Sequence, residues 1–399
     1  MRSTCSELAA DVLDRCVAGA PPRELPPELA EEPCAKALFG ILVEGLADRF
    51  EPSLCDAYAR LFAQAVAQAR PEQQADALAA RYRHVRQVRP IDSPPRRVVV
   101  LSRVTLGADV AVTSVLLSAA KRRFPQASLV FAGPRKNYEL FAADRRITHA
   151  PVEYRRGGLR ERLAIWDDLK ALLADDDTLV LDPDSRLTQL GLLPVCPEDR
   201  YRLFESRAYG ADSCRALPEL AASWAEETLG VADARPYISI GPLQATRPYI
   251  TVNLGVGENP AKRLPDPFEE KLLRLLAATG LPIVVDKGGS DQEANRVERA
   301  AEHSGAPVSF WEGSFAGFAA FVAGSRLYVG YDSAGQHVAA ACGVPLISVF
   351  AGFPVPRMFD RWRPVGPGCH VIRVDRPGID ETLVRVDRAL QIVVAEPQP

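Results

Sequence analysis

The chain has 399 residues, 47% of them hydrophobic, and a formal net charge of -3. That length exceeds one ordinary core and implies more than one domain, and the charge excludes a generally basic nucleic-acid binder. No run of about 18 apolar residues occurs, so no spanning helix is expected; the early acids Glu7, Asp11 and Asp14 argue against a secretory signal.

Residues 1–90 read as helices. CSELAADVLDRCV, CAKALFGILVEGLADRF and SLCDAYARLFAQAVAQA each repeat apolar residues at three-to-four spacing. Prolines between Pro21 and Pro27 separate the first two. The Arg-rich run RYRHVRQVRPIDSPPRR (81–97) has the composition of a solvated linker. The cysteines (Cys5, Cys16, Cys34, Cys55, Cys196, Cys214, Cys342, Cys369) form no CxxC pair and no metal spacing. Free thiols in a reducing cytoplasm are expected.

The pattern changes at Arg97. VVVLS (98–102) reads as a strand, followed by a helix from Asp109 to Arg123 and a second strand, ASLVFAG (127–133). Further strands read at TLVLD (178–182), YITVNLG (249–255), LPIVVDKG (281–288), RLYVGYD (326–332) and PLISVF (345–350). Strands alternating with helices predict parallel sheets. Two blocks result, about 97–235 and 249–375, joined by RPYISIGPLQATRP (235–248). The expected domains are a helical extension and linker (1–95), a first Rossmann-like domain (96–240) and a second (241–399).

Ligands of parallel α/β sheets bind at the carboxyl ends of strands, and four polar stretches sit there. Asp109 follows a Gly-containing turn and reads as the opening residue of a helix, either a cap or a general base. Gly255-x-Gly257, Asn259 and Lys262 follow a strand, with backbone amides and a cation suited to a diphosphate. Neither GxxxxGK[ST] nor GxGxxG occurs. Glu293 follows Gly288-Gly289 and either accepts from sugar hydroxyls or complements a helix dipole. Asp332-Ser333-Ala334-Gly335-Gln336-His337 opens another helix after a strand. A serine nucleophile is excluded there by the missing GxSxG. Asp184, Ser185, Arg186 and Gln189, after the strand at 178–182, either line an acceptor site or cap a helix. The acidic run at 175–177 precedes its strand and reads as a solvated turn, and no acidic metal motif stands out.

The spacing of these stretches resembles glycosyltransferase family 9, the bacterial ADP-heptose:lipopolysaccharide heptosyltransferases. The resemblance covers about residues 97–375 and leaves out the helical prefix. Its most specific part is Asp332-Ser333-Ala334-Gly335-Gln336-His337 with Ala339-Ala340 and Gly343-Val344-Pro345, similar to the family's Asp-[Thr/Ser]-Gly-x-x-His, Ala-Ala and Gly-x-Pro. Lys262-Arg263-Leu264-Pro265 looks like its Lys-x-Trp-Pro, and Gly352, Trp362, Pro364 and Gly366 resemble its Gly-Pro and Trp-x-Pro-x-Gly. Three positions depart: Ala108 precedes Asp109 with Gly107 one place earlier, Leu264 replaces Trp, and Ala334 replaces Gly with Gly335 one place later.

The resemblance implies a GT-B fold, two Rossmann-like domains facing a cleft, with acceptor on the first and nucleotide sugar on the second. It implies an inverting, metal-independent transfer from a nucleotide-diphosphate sugar such as ADP-heptose, with no cofactor. Asp109 becomes the base, and Gly255, Gly257, Asn259, Lys262, Glu293 and residues 332–337 the donor site. The acceptor is a bacterial glycan, lipopolysaccharide-type or protein. A phosphorylated lipid acceptor, with peripheral association at the inner membrane, would meet Arg135, Lys136, Arg145, Arg146, Arg155, Arg156, Arg160 and Arg162, which otherwise form a solvated face. The prefix would pack on the acceptor domain or bind a protein partner. A sugar-nucleotide epimerase also carries an Asp-Ser-Gly-Gly turn, but Gln336-His337-Val338 lacks its Gln-Glu-Glu continuation. A non-catalytic binding protein is the other alternative.

Overall fold

A computed structural model describes residues 4–91, 93–241, 247–257, 259–376 and 378–395. The middle of the linker read at 235–248 lies outside them. Two compact units are present: Met1–Thr105, Val115–Tyr138 and Arg145–Arg235 form the first, and Leu106–Ser114, Glu139–Asp144 and Pro236–Pro399 the second.

The first unit holds a five-stranded parallel sheet. Its strands are β1 (Arg97–Leu101), β2 (Ser128–Gly133), β3 (Ile147–Pro151), β4 (Thr178–Asp182) and β5 (Tyr201–Leu203), in the order β3-β2-β1-β4-β5. Val99 pairs with Val130 on one side and Val180 on the other. Continuous Val/Leu runs suit a sheet covered on both faces. The second unit holds β6 (Ile250–Asn253), β7 (Ile283–Asp286), β8 (Val308–Trp311), β9 (Leu327–Tyr331), β10 (Leu346–Phe350) and β11 (Cys369–Arg373). Its parallel order is β11-β10-β9-β6-β7-β8. In both sheets the chain reverses its direction of growth beside a central strand, between β1 and β4 and between β6 and β9, where α/β sheets open a ligand crevice.

The helical prefix is not a separate body. Cys5–Val17 starts with a capping box, Thr4 Oγ1 accepting from Glu7 N at 3.2 Å while Glu7 Oε2 accepts from Thr4 N at 2.7 Å. Pro52–Ala69 starts on Pro, whose missing N–H costs nothing there. Leu42, Phe62 and Val66 of the prefix share one apolar cluster with Val99, Val130 and Val180 of the sheet. The prefix therefore completes the first unit's core.

Three expectations are corrected here. The Arg-rich run at 81–97 is not a solvated linker. Its start belongs to a helix, Ala75–Val85, with Tyr82 and Val85 buried. Arg81 donates from Nη1 to Gly191 O at 3.0 Å, and its guanidinium lies over the Tyr201 ring. A guanidinium can be buried as a fork for carbonyls, which composition does not reveal. The cysteines are not all free: Cys5 and Cys34 are disulfide-bonded, their Cα atoms 5.2 Å apart, while Cys16 and Cys55 are buried thiols. Asp109 does not open its helix, which begins at Leu106 and widens to π turns over Asp109–Thr113. No helix among the described residues is long and apolar enough to cross a membrane.

Phe62 stacks on Tyr58 (ring centroids 5.4 Å apart) and meets Phe39 edge-on. Phe62→Ala should destabilise the first unit by about 3–5 kcal/mol in urea denaturation, as an emptied aromatic site does. Prefix and sheet should unfold in one transition.

Candidate active site

The second unit gathers its polar residues at the carboxyl ends of β6, β7 and β9. β9 delivers Asp332, and Ser333 is the extended residue before the helix Ala334–Ala341. Asp332 is 5% exposed. Its carboxylate takes Lys262 Nζ at 2.6 Å on one oxygen and Gln336 Nε2 at 2.6 Å on the other. Gln336 Oε1 accepts from Ser348 Oγ of β10 at 2.5 Å. Lys262 closes a single turn, Pro260–Lys262, started by Asn259, whose Oδ1 accepts from Ala261 N at 3.0 Å. Gly352, after β10, presses on that turn: a Cβ there would sit 2.3 Å from Ala261 O. Only glycine fits such an approach with φ at +68°.

Asn253, the last residue of β6, ties the strand ends together. Its Nδ2 donates to Asp286 Oδ2 at 2.7 Å, and its Oδ1 accepts from Gly255 N at 3.0 Å and Ser333 Oγ at 3.3 Å. Burial pushes the Asp286 carboxyl up from its ordinary value, with Glu293 adding to the rise and the Gly288 and Asn253 hydrogen bonds opposing it. Glu293 lies in the first turn of Asp291–Ser304, where Oε2 accepts from Gly289 N at 3.1 Å. A Cβ on Gly255 would come 2.5 Å from Glu293 Oε1. Gly257 is exposed, in the left-handed region at φ +60°.

Ser333 stands at the cap position, yet its side chain makes no capping hydrogen bond. Its hydroxyl goes to Asn253 instead. The first amides of Ala334, Gly335 and Gln336 thus carry the positive end of the helix dipole without an internal acceptor from a cap, beside the Lys262 ammonium. Such an end is suited to an anion.

Asp109 belongs to this same unit. It is fully buried, and Thr113 Oγ1 donates to its Oδ1 at 2.5 Å. Its turn abuts the helix Ala334–Ala341: a Cβ on Gly107 would sit 3.2 Å from Ala334 Cα and 3.1 Å from His337 Cδ2. Two departures from the family pattern meet at this contact. Where Ala334 brings a methyl group to the helix start, Gly107 faces it. Gly335 is held from below, since a Cβ would come 2.4 Å from Tyr328 Oη. Leu264, the third departure, is 1% exposed in the apolar core. His337 is buried and meets Trp362 edge-on at 6.0 Å.

The residues expected on the acceptor side are mostly internal. Asp184 is buried, accepting from Ser206 Oγ at 2.8 Å and Arg207 Nε at 3.1 Å. Ser185 caps the turn Arg186–Thr188 and donates to Ser102 O. Arg186 pairs with Glu44 at 3.6 Å, and Gln189 is buried with its carbonyl taken by Tyr58. Asn253, Asp286, Tyr328 and Ser348 were not among the expected residues. Only Asn253 had a sequence signal, a polar residue ending a buried run. Among the described residues no three His, Cys, Asp or Glu side chains converge on a metal-sized site.

Residues 198–388 match the family model "Glycosyltransferase family 9 (heptosyltransferase)". Over those residues, just under half of the chain, it is similar to glycosyltransferase family 9. Its class of chemistry is glycosyl transfer. E. coli heptosyltransferase WaaC, solved with ADP, is similar at a TM-score of 0.57 and 18% identity, covering 74% of this chain and 99% of that one. A glycosyltransferase family 9 structure from Veillonella parvula gives 0.60 and 16%, covering 77% and 100%. E. coli ADP-heptose lps heptosyltransferase II gives 0.55 and 22%, covering 75% and 98%. A comparison with curated protein sequences finds no match. The fold is GT-B, as the sequence predicts.

Burial lowers the His337 pKa from 6.5 to about 4, with Asp332 opposing and Lys262 adding to the fall. The folded imidazole stays neutral where the unfolded one takes a proton, so stability present above pH 6.5 is lost as pH falls toward 4. His337→Gln should lose less stability than the parent across that window. The difference between them in chemical denaturation should be on the order of 3 kcal/mol at pH 4.

Proposed function

We propose that this glycosyltransferase moves a heptose-like sugar from an ADP-linked donor to a hydroxyl of a bacterial glycan, lipopolysaccharide-type or protein acceptor, with inversion and without a metal. The observation that carries the reading is the uncapped start of Ala334–Ala341 with Lys262 beside it. A leaving diphosphate needs fixed donors that do not have to reorganise, and backbone amides plus an ammonium supply them. Gly255, Gly257 and Asn259 bring the neighbouring turn to the same end of the sheet, and Glu293 serves the sugar or ribose hydroxyls. The heptosyltransferases with ADP and with ADP-2-deoxy-2-fluoro heptose support an adenine nucleotide.

Asp109 is the general base. The acceptor O–H proton passes to its carboxylate while the acceptor oxygen bonds the anomeric carbon. The bond from that carbon to the diphosphate oxygen breaks, and its electron pair leaves on the diphosphate. One carboxylate acting in one displacement inverts the centre. Thr113 keeps one Asp109 oxygen engaged.

Asp109→Asn keeps the shape and the Thr113 contact. It should lower kcat about 10²–10⁴-fold and leave the donor KM nearly unchanged, measured as ADP release from ADP-heptose with heptose-free lipopolysaccharide as acceptor. An equal loss in donor affinity with kcat intact would assign Asp109 to binding.

A further inference from the structure

The amino-terminal helices touch the first unit at one end of its sheet. Glu32 Oε1 accepts from Arg160 N at 3.1 Å, and Arg162 Cζ lies 3.8 Å over the Phe39 ring, both arginines in the short helix Leu159–Leu163 that ends the connection leaving β3. On the loop after β4, Tyr58 Oη donates to Gln189 O at 2.7 Å and Arg81 Nη1 to Gly191 O at 3.0 Å. Past β5, Tyr82 Oη donates to Glu205. These three connections leave the carboxyl ends of their strands, the end at which such sheets take ligands.

The loop after β4 is held from within, Asp182 accepting from Ser185 N and Thr188 Oγ1, and from outside by the prefix. Asp184, Gln189 and Leu190 have φ of 70°, 50° and 56°. Left-handed backbone at residues with a Cβ persists only where surroundings over-determine it. Tyr58 and Arg81 grip the carbonyls of Gln189 and Gly191, on either side of Leu190. Past β1 and β2, Thr105, Arg135 and Lys136 are exposed.

We infer that the amino-terminal helices are a built-in cap on the acceptor end of the first unit, and that Tyr58 and Arg81 are positioning residues that set acceptor selectivity by holding the 184–191 turn. The inference rests on the proposed transferase reading, in which the second unit grips the donor diphosphate and the acceptor falls to the first.

The test uses the full chain with Tyr58→Phe and Arg81→Gln, each checked for a folded thermal transition. Amide exchange read by mass spectrometry should quicken about three- to tenfold across 184–191, the range one lost hydrogen bond gives. With ADP-heptose as donor, the relative rates on heptose-free lipopolysaccharide, a Ser/Thr-rich peptide and water should shift by a similar factor, with the donor KM unchanged. Unchanged exchange, or unchanged acceptor ratios with donor turnover present, overturns the cap. No ADP release by the parent protein counts against the donor reading instead, and the exchange result then decides the cap alone.

Discussion

Two turns of the second unit, one after β6 and one after β9, are joined through a single carboxylate. Asp332 holds Lys262 on one oxygen and Gln336 on the other, each at 2.6 Å. A carboxylate this buried is costly unless its oxygens are filled, and filling them from two elements fixes both. Lys262 is thereby placed over the start of a helix rather than left to wander on a long side chain. Gln336 passes the constraint to Ser348 on β10, and Ser333, freed from capping, reaches Asn253 on β6. The helix start suits an anion because of this arrangement: the Ser333 hydroxyl at its cap position is engaged elsewhere.

The first unit applies similar physics to a different end. Its prefix supplies apolar area to the sheet's core and hydrogen-bond donors to loops that would otherwise leave carbonyls unpaired. Arg81 and Tyr58 hold backbone oxygens, and Tyr82 and Arg207 sit on Glu205 and Asp184 in a buried polar network. Burial pushes the Glu205 carboxyl up from its ordinary value while Arg207 opposes the shift. Such networks specify one arrangement because a partial one strands a buried charge.

The centre of each sheet was legible from the sequence and the edges were not. β1, β2, β4, β6, β7, β9 and β10 are runs of Val, Ile, Leu and aromatics, the pattern of strands covered on both faces. The strands missed are β3, β5, β8 and β11, the edge strands of the two sheets. ITHAP, VSFW and CHVIR are only partly buried, and β5 has three residues. The turn at 332–337 stood out in the sequence because Asp332, Lys262 and the glycines have motif spacing. Tyr328 did not, since its role arises from strands brought side by side, and Asn253 showed only as a polar residue ending a buried run. The burial of the residues read for the acceptor side had no sequence signal for a related reason. Asp184, Ser185 and Gln189 are polar at a strand end, but helices more than a hundred residues earlier in the chain cover them, Tyr58 reaching Gln189 across 131 positions.

Recognition of a diphosphate by the helix start after β9 and by Lys262 is the central proposal. The direct measurement is calorimetric titration of the full chain with ADP and with adenosine, in the parent and in Lys262→Gln. The account predicts ADP binding at least about tenfold tighter than adenosine, as charge-assisted contacts to phosphate require, with most of that margin lost on removing the ammonium. Equal affinities for ADP and adenosine, or a margin untouched by Lys262→Gln, would contradict it.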